Sequence, residues 1–161
     1  MVIILMGVAG AGKTTIGRAL AAALGWEFVE GDDFHTAANR EKMRQGIALS
    51  DSDRSPWLNR IRELILDRLA GGIDAVVACS ALKRRYRALL AVDPVRVRFI
   101  HLTAGREVLQ ERIRSRHGHF MPADLLDSQL ATLEPPPGAM TIDVSASPDC
   151  VVAAIREQLA I

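Results

Sequence analysis

Apolar runs and stretches of helical period alternate along this chain. Val2-Ile3-Ile4-Leu5-Met6 is a near-continuous hydrophobic run, the pattern of a parallel strand covered on both faces. From Thr15 to Leu24 the period changes to helical, with Ile16, Ala19, Leu20, Ala23 and Leu24 on one face and Gly25 as the stop. A short second strand is expected at Glu27-Phe28-Val29-Glu30, ending at Gly31-Asp32-Asp33. Residues 34–55 are polar and read as a substrate-facing insertion. A helix from Pro56 to Leu69 is expected next, with Ser55 as N-cap and Pro56 at its first position. Ala75–Cys79 reads as a buried strand and Leu82–Leu90 as a helix. Val95–Leu102 reads as a strand nearer an edge, because Arg96 and Arg98 alternate with Val97 and Phe99. Helices are expected at Arg106–Arg116, Ala123–Leu133 and about Asp149–Leu159, with a last strand at Thr141–Val144. Five strands alternating with helices predict a three-layer α/β/α fold on a parallel five-stranded sheet.

The junction between the first strand and the first helix carries the most specific chemistry. Residues 7–14 read Gly-Val-Ala-Gly-Ala-Gly-Lys-Thr, the pattern G-x-x-x-x-G-K-[ST]. Gly7, Gly10 and Gly12 let the backbone turn and aim its N–H groups inward, while Val8, Ala9 and Ala11 complete the cradle. The helix N-terminus behind the loop favours anions. Lys13 is expected at the β- and γ-phosphates, Thr14 on Mg²⁺, and Thr15 in the first turn beside them. A nucleoside triphosphate is the expected ligand.

Composition narrows the remaining options. At 161 residues the chain has the length of one domain, expected to span residues 1–161. A formal charge of +1 gives no reason to expect nucleic acid or an anionic membrane as partner. Lys13, Lys42 and Lys83 are the only lysines, against 17 arginines, and each lies in a motif stretch. Cys79 and Cys150 have no metal-ligand spacing and are expected to be buried free thiols. His117 and His119 without neighbouring cysteines make a poor zinc site. The N-terminal apolar run lacks a basic region before it and passes straight into the loop, so it is expected as a core strand, and the protein as soluble and cytoplasmic.

Ligands of open α/β sheets sit beyond the carboxyl ends of the strands. The phosphate loop, Asp32-Asp33-Phe34-His35, Ser80–Lys83 and Thr103 are therefore expected to converge. Asp32 is favoured over Asp33 as the carboxylate facing the loop, where it serves either as general base or as a partner of Mg²⁺-bound water. Strand three ends without an acid, so the second carboxylate usual in phosphate-loop enzymes is not found there.

The stretch Gly31-Asp32-x-x-His35-x-x-x-Asn39-x-x-Lys42-Met43-x-x-Gly46-x-x-Leu49-x-Asp51-x-Asp53-Arg54-x-Pro56-Trp57-Leu58 resembles the gluconate kinase (gluconokinase) family. Cys79-Ser80-Ala81-Leu82-Lys83-Arg84-x-Tyr86-Arg87 is similar to its second block. Arg112-x-x-x-Arg116-x-Gly118-His119-Phe120-Met121-Pro122 and Leu126-x-Ser128-Gln129-x-x-x-Leu133-Glu134-x-Pro136 are similar to its third. Two departures stand out: Thr36 and Ala48 occupy positions where the family usually has proline.

The resemblance implies a P-loop fold like that of nucleoside monophosphate and shikimate kinases. It also implies ATP and Mg²⁺ as cofactors, transfer of the γ-phosphate to the 6-hydroxyl of D-gluconate, and a homodimer. A sugar acid needs a cation for its carboxylate and polar partners for its hydroxyls. Asp32, His35, Asn39, Arg54, Lys83 and Arg87 are the expected substrate residues, although His35 could instead cap a turn and Arg54 could pair with Asp51 or Asp53. Arg112 and Arg116 lie four apart before a glycine-containing segment, the layout of a lid at about residues 112–126. Arg116 is expected on the transferring phosphoryl group, and Arg112 either there or along the adenine ring. A guanine-nucleotide switch is disfavoured, since no N-K-x-D motif is present.

Overall fold

The computed structural model describes residues 1–115 and 123–161, and of residues 123–125 the backbone only. Five parallel strands, β1 (Val2–Met6), β2 (Glu27–Glu30), β3 (Ala75–Ala78), β4 (Val97–Thr103) and β5 (Met140–Asp143), lie in the order β2-β3-β1-β4-β5. The helices are α1 (Lys13–Leu24), α2 (Ala37–Arg44), α3 (Asp51–Ala70), α4 (Arg84–Leu90), α5 (Arg106–Arg114), α6 (Ala123–Thr132) and α7 (Pro148–Leu159). β1 is central and buried along its whole length, as its unbroken hydrophobic run requires.

Alternation along β1 divides the core in two. Ile3 and Leu5 join Ile16 and Leu20 of α1, Leu109 of α5, Leu126 of α6 and Ile155 of α7 on one face. Val2, Ile4 and Met6 join Trp57, Ile61 and Ile65 of α3 and Leu90 of α4 on the other. The central strand thus serves both outer layers, giving the three-layer α/β/α architecture.

Three local expectations are corrected. The polar stretch after β2 contains a helix, α2, whose N-cap is Thr36. Its side chain accepts from Asn39 N at 3.1 Å, so a hydroxyl cap stands where the family usually has proline. The following helix begins at Asp51 and not at Pro56. Ser50 and Asp53 form a reciprocal capping box, and Pro56 lies inside the helix. The box outweighs the proline signal because Pro56 is still near the start, where only one intrahelical bond is forgone. Cys150, expected to be buried, is exposed. β4 lies beside the edge strand β5, as its alternation predicts.

The cysteines also differ from each other. Cys79 is fully buried, which pushes its thiol up to about 12, whereas Cys150 is exposed in the first turn of α7. No described helix is long and apolar enough to cross a membrane.

Candidate active site

The phosphate loop joins β1 to α1 at the central strand, where the sheet order places the crossovers to either side. Gly7 (φ 140°) and Gly10 (φ 80°) adopt backbone conformations that side chains rarely reach. A Cβ on Gly7 would stand 2.6 Å from Leu102 O, and one on Gly10 2.7 Å from Leu109 O. Val8, Ala9 and Ala11 are buried, so the cradle's side chains point into the core and its lining is backbone. Gly12, in the left-handed region, caps α1 without a side-chain bond. Lys13 Nζ donates to the carbonyls of Gly7 (2.9 Å) and Val8 (3.0 Å). Thr15 is exposed on the first turn.

A cavity of about 410 Å³ opens beyond the loop, with Ala9, Lys13 and Thr14 on one wall. Its lining also includes Glu30, Asp32, His35, Arg54, Trp57 and Tyr86. Asp33 and Thr103 are not in this lining, and the Thr103 hydroxyl donates instead to Ile142 O at 3.3 Å.

Asp32 sits on a 3-10 turn, Gly31–Phe34, directly after β2. Trp57 of α3 fixes that turn by donating from Nε1 to Gly31 O at 2.7 Å. The His35 ring stacks on Trp57, with centroids 4.3 Å apart and planes 14° from parallel. His35 is buried, its Nε2 lies 3.9 Å from Asp32 Oδ1, and its Nδ1 has no partner among the described residues. Burial lowers its pKa from the ordinary 6.5, with Asp32 opposing, so the imidazole is neutral near pH 7.

Arg54 keeps its charge for the cavity because its neighbours' carboxylates are already engaged. Asp53 takes Lys42 Nζ at 2.8 Å and caps Ser50 N; the Lys42 bond, then the Ser50 N–H, hold its carboxyl down at about 2. Asp51 binds Lys83, Arg85 and the Tyr86 hydroxyl. Among the described residues the Arg54 guanidinium makes one long hydrogen bond, 3.4 Å to Tyr86 Oη.

Three of the six expected substrate residues therefore reach the cavity wall, and three are placed otherwise. Asn39 is buried and donates from Nδ2 to Asp53 O at 2.6 Å, tying α2 to α3. Lys83 is paired with Asp51 at 2.9 Å. The buried Arg87 guanidinium donates to the carbonyls of Ala81, Leu82, Glu134 and Pro135, a brace between the start of α4 and the end of α6. Arg112 lies beside the loop at Gly12, its guanidinium donating to Val144 O at 2.6 Å. Arg116 and most of the expected lid lie outside the described residues.

Sequence reasoning missed Glu30. It ends β2, lines the cavity and accepts from the Thr14 hydroxyl at 2.7 Å; burial raises its pKa, with the Thr14 bond opposing. It is a second carboxylate on the cavity, at the end of strand two and two residues before Asp32. Its signal was the acid closing the strand, as legible as Asp32 itself.

Comparison with known proteins places the chain in a family. The family model described as AAA domain matches residues 2–136. Gluconokinase of Arabidopsis thaliana is 44% identical, over 99% of this chain and 92% of its own. The chain belongs to the gluconokinase family. A gluconokinase from Sinorhizobium meliloti 1021 superposes with a TM-score of 0.83 at 43% identity, covering 98% of this chain and 94% of that one. An unliganded sugar kinase from Janibacter sp. HTCC2649 superposes with a TM-score of 0.90, also at 43% identity, over 99% and 94%. As a member of the gluconokinase family, the protein is a P-loop kinase, a phosphotransferase drawing on ATP.

Proposed function

We propose that the protein transfers the γ-phosphoryl group of ATP to the 6-hydroxyl of D-gluconate, giving 6-phospho-D-gluconate and ADP. One observation carries the reading: a single cavity joins Lys13 and Thr14 of the phosphate loop to Asp32, His35 and an Arg54 that no described carboxylate neutralises. The loop amides and Lys13 bind the triphosphate. Arg54 is the cation for the sugar acid's carboxylate, and the neutral His35 offers Nε2 to one of its hydroxyls. Asp32 takes the proton of the 6-hydroxyl as the new O–P bond forms. The bond from γ-phosphorus to the bridging oxygen breaks, and its electron pair leaves on ADP.

Mg²⁺ fits the donor set here. Thr14 Oγ1 would ligate it while still donating its proton to Glu30, and Glu30 and Asp32 would accept from its waters. Among the described residues no three His, Cys, Asp or Glu side chains cluster as a metal cage, which suits an ion held largely by phosphates and water. When bound, the ion neutralises charge on the β- and γ-phosphates.

Arg116 on the transferring group, Arg112 beside the nucleotide, a lid over residues 112–126, an acceptor insertion over 34–58 and a homodimer complete the proposal on the grounds of sequence resemblance. The test is ADP release from Mg²⁺-ATP with D-gluconate, shikimate and AMP in parallel. Gluconate-dependent release is expected, and release driven only by shikimate or AMP would overturn the assignment.

A further inference from the structure

Gln129 of α6 reaches across 120 residues of sequence to the phosphate loop, where its Oε1 accepts from Ala9 N at 2.6 Å. Because that partner is a donor, the orientation of the amide is fixed: oxygen to the loop, nitrogen away. No described residue accepts from Nε2, and Gln129 lines the same cavity as Lys13 and Asp32.

The helix carrying it is anchored at two points. Leu126, about one turn earlier, is buried in the core of that face. Beyond the C-terminal end of α6, Glu134 N donates to Leu82 O at 3.0 Å and the Arg87 guanidinium binds Glu134 O at 3.0 Å. A side chain held by its own oxygen, on a helix pinned on both sides of it, presents its two N–H donors in a set direction. Donors preorganised where negative charge moves during the reaction stabilise the transition state more than the ground state.

We infer that Gln129 is a catalytic residue that donates from Nε2 to an oxygen of the γ-phosphoryl group, with Ala9 N–H as its orienting partner. The inference rests on the phosphotransfer reading above. It makes α6 a sensor of the loop as well as a wall of the acceptor site, since the same side chain touches loop backbone and transferring group. It also gives the phosphoryl group a neutral donor in addition to the Lys13 ammonium.

Two variants separate this role from that of a plain brace. Gln129→Glu keeps an oxygen for Ala9 N–H but replaces both donors with an anionic oxygen. Gln129→Met keeps the length and removes both functions. A brace predicts that the Met variant is the more impaired, with a lowered melting temperature, and that the Glu variant loses only what its charge costs any anion in the cavity, ADP and analogue alike. The donor role predicts that the Glu variant loses about 100-fold in kcat, more than the Met variant, with its melting temperature retained. Binding gives a second readout: calorimetry should find ADP affinity unchanged in the Glu variant, and affinity for the β,γ-imido analogue of ATP weakened about tenfold.

A Glu variant within tenfold of parental kcat, or one that loses ADP and analogue affinity equally, overturns the inference. Failure of the parent protein to phosphorylate gluconate would instead sink the function proposed above. The contrast between ADP and the imido analogue would still read Gln129 in that case.

Discussion

The loop wall of the cavity and its acceptor wall are made of different material. On the loop side the side chains of Val8, Ala9 and Ala11 are buried, and what lines the site is main chain, Lys13 and Thr14. On the acceptor side the lining is side chain: His35 stacked on Trp57, Arg54 against Tyr86, Asp32 on a turn that Trp57 fastens. A triphosphate is recognised by repeated N–H groups, which any sequence supplies once the turn is made. A sugar acid has hydroxyls and a carboxylate in one arrangement, which only particular side chains meet. The loop wall is therefore sensitive to added atoms at Gly7 and Gly10, and the acceptor wall to atoms removed.

Lys13→Ala is expected to have the largest effect, about 10³-fold on kcat, because it removes the ammonium of the loop wall. Turnover within a few-fold of the parent would break the contrast at its strongest point. Asp32→Asn should follow, slowing transfer about 100-fold while sparing ADP affinity measured by calorimetry. Equal loss of nucleotide affinity would move Asp32 from the acceptor wall to the metal. Arg54→Met should raise the KM for gluconate about 30-fold, the value of a charge-assisted contact, with kcat at saturation little changed. A KM shift for ATP instead would place Arg54 on the wrong wall.

The two walls were also unequally legible in the sequence. Strand, glycine loop and helix are contiguous, so residues 2–24 could be read locally and in order. Asp32, His35 and Arg54 were legible as residue types just past a strand or in a motif. Asn39, Lys83 and Arg87 were legible as types too, but their partners lie 14, 32 and up to 48 residues away. Whether a polar side chain faces a ligand or a distant carbonyl is decided by tertiary packing, which residue type does not encode. The start of α3 failed for a different reason: Ser50 and Asp53 form a cap that competes with the Ser55-Pro56 signal, and two local rules disagreed. Glu30 needed only the thought that an acid could close strand two as well as follow it.

Arg87 sharpens the comparison from outside both walls. Its four carbonyl partners are left with unmet acceptors in Arg87→Met, which should lower unfolding free energy by about 2 kcal/mol in urea titrations. The KM for gluconate should stay at the parental value at a temperature where the variant is folded. A raised KM with unchanged stability would return Arg87 to the acceptor wall.

The smallest expected effect concerns pH, and it separates His35 from its charged neighbours. Burial is the main cause lowering its pKa below 6.5; Arg54 and Arg40 push the same way and Asp32 opposes. The unfolded chain then binds a proton in a range where the folded protein does not, so stability is fully present above about pH 6.5. It is lost as pH falls from there through the lowered folded value. His101, also lowered by burial and by Arg87, adds a slope of the same sign. Urea midpoints should therefore fall between pH 7 and pH 5, and His35→Gln should flatten part of that fall, leaving the share due to His101. Glu30, raised by burial with Lys13 opposing, adds a slope of opposite sign, so His35→Gln and not Lys13→Ala is the variant that isolates the histidine share. A slope untouched by His35→Gln would mean that the ring on Trp57 keeps its ordinary protonation on folding, and the fall would belong to His101.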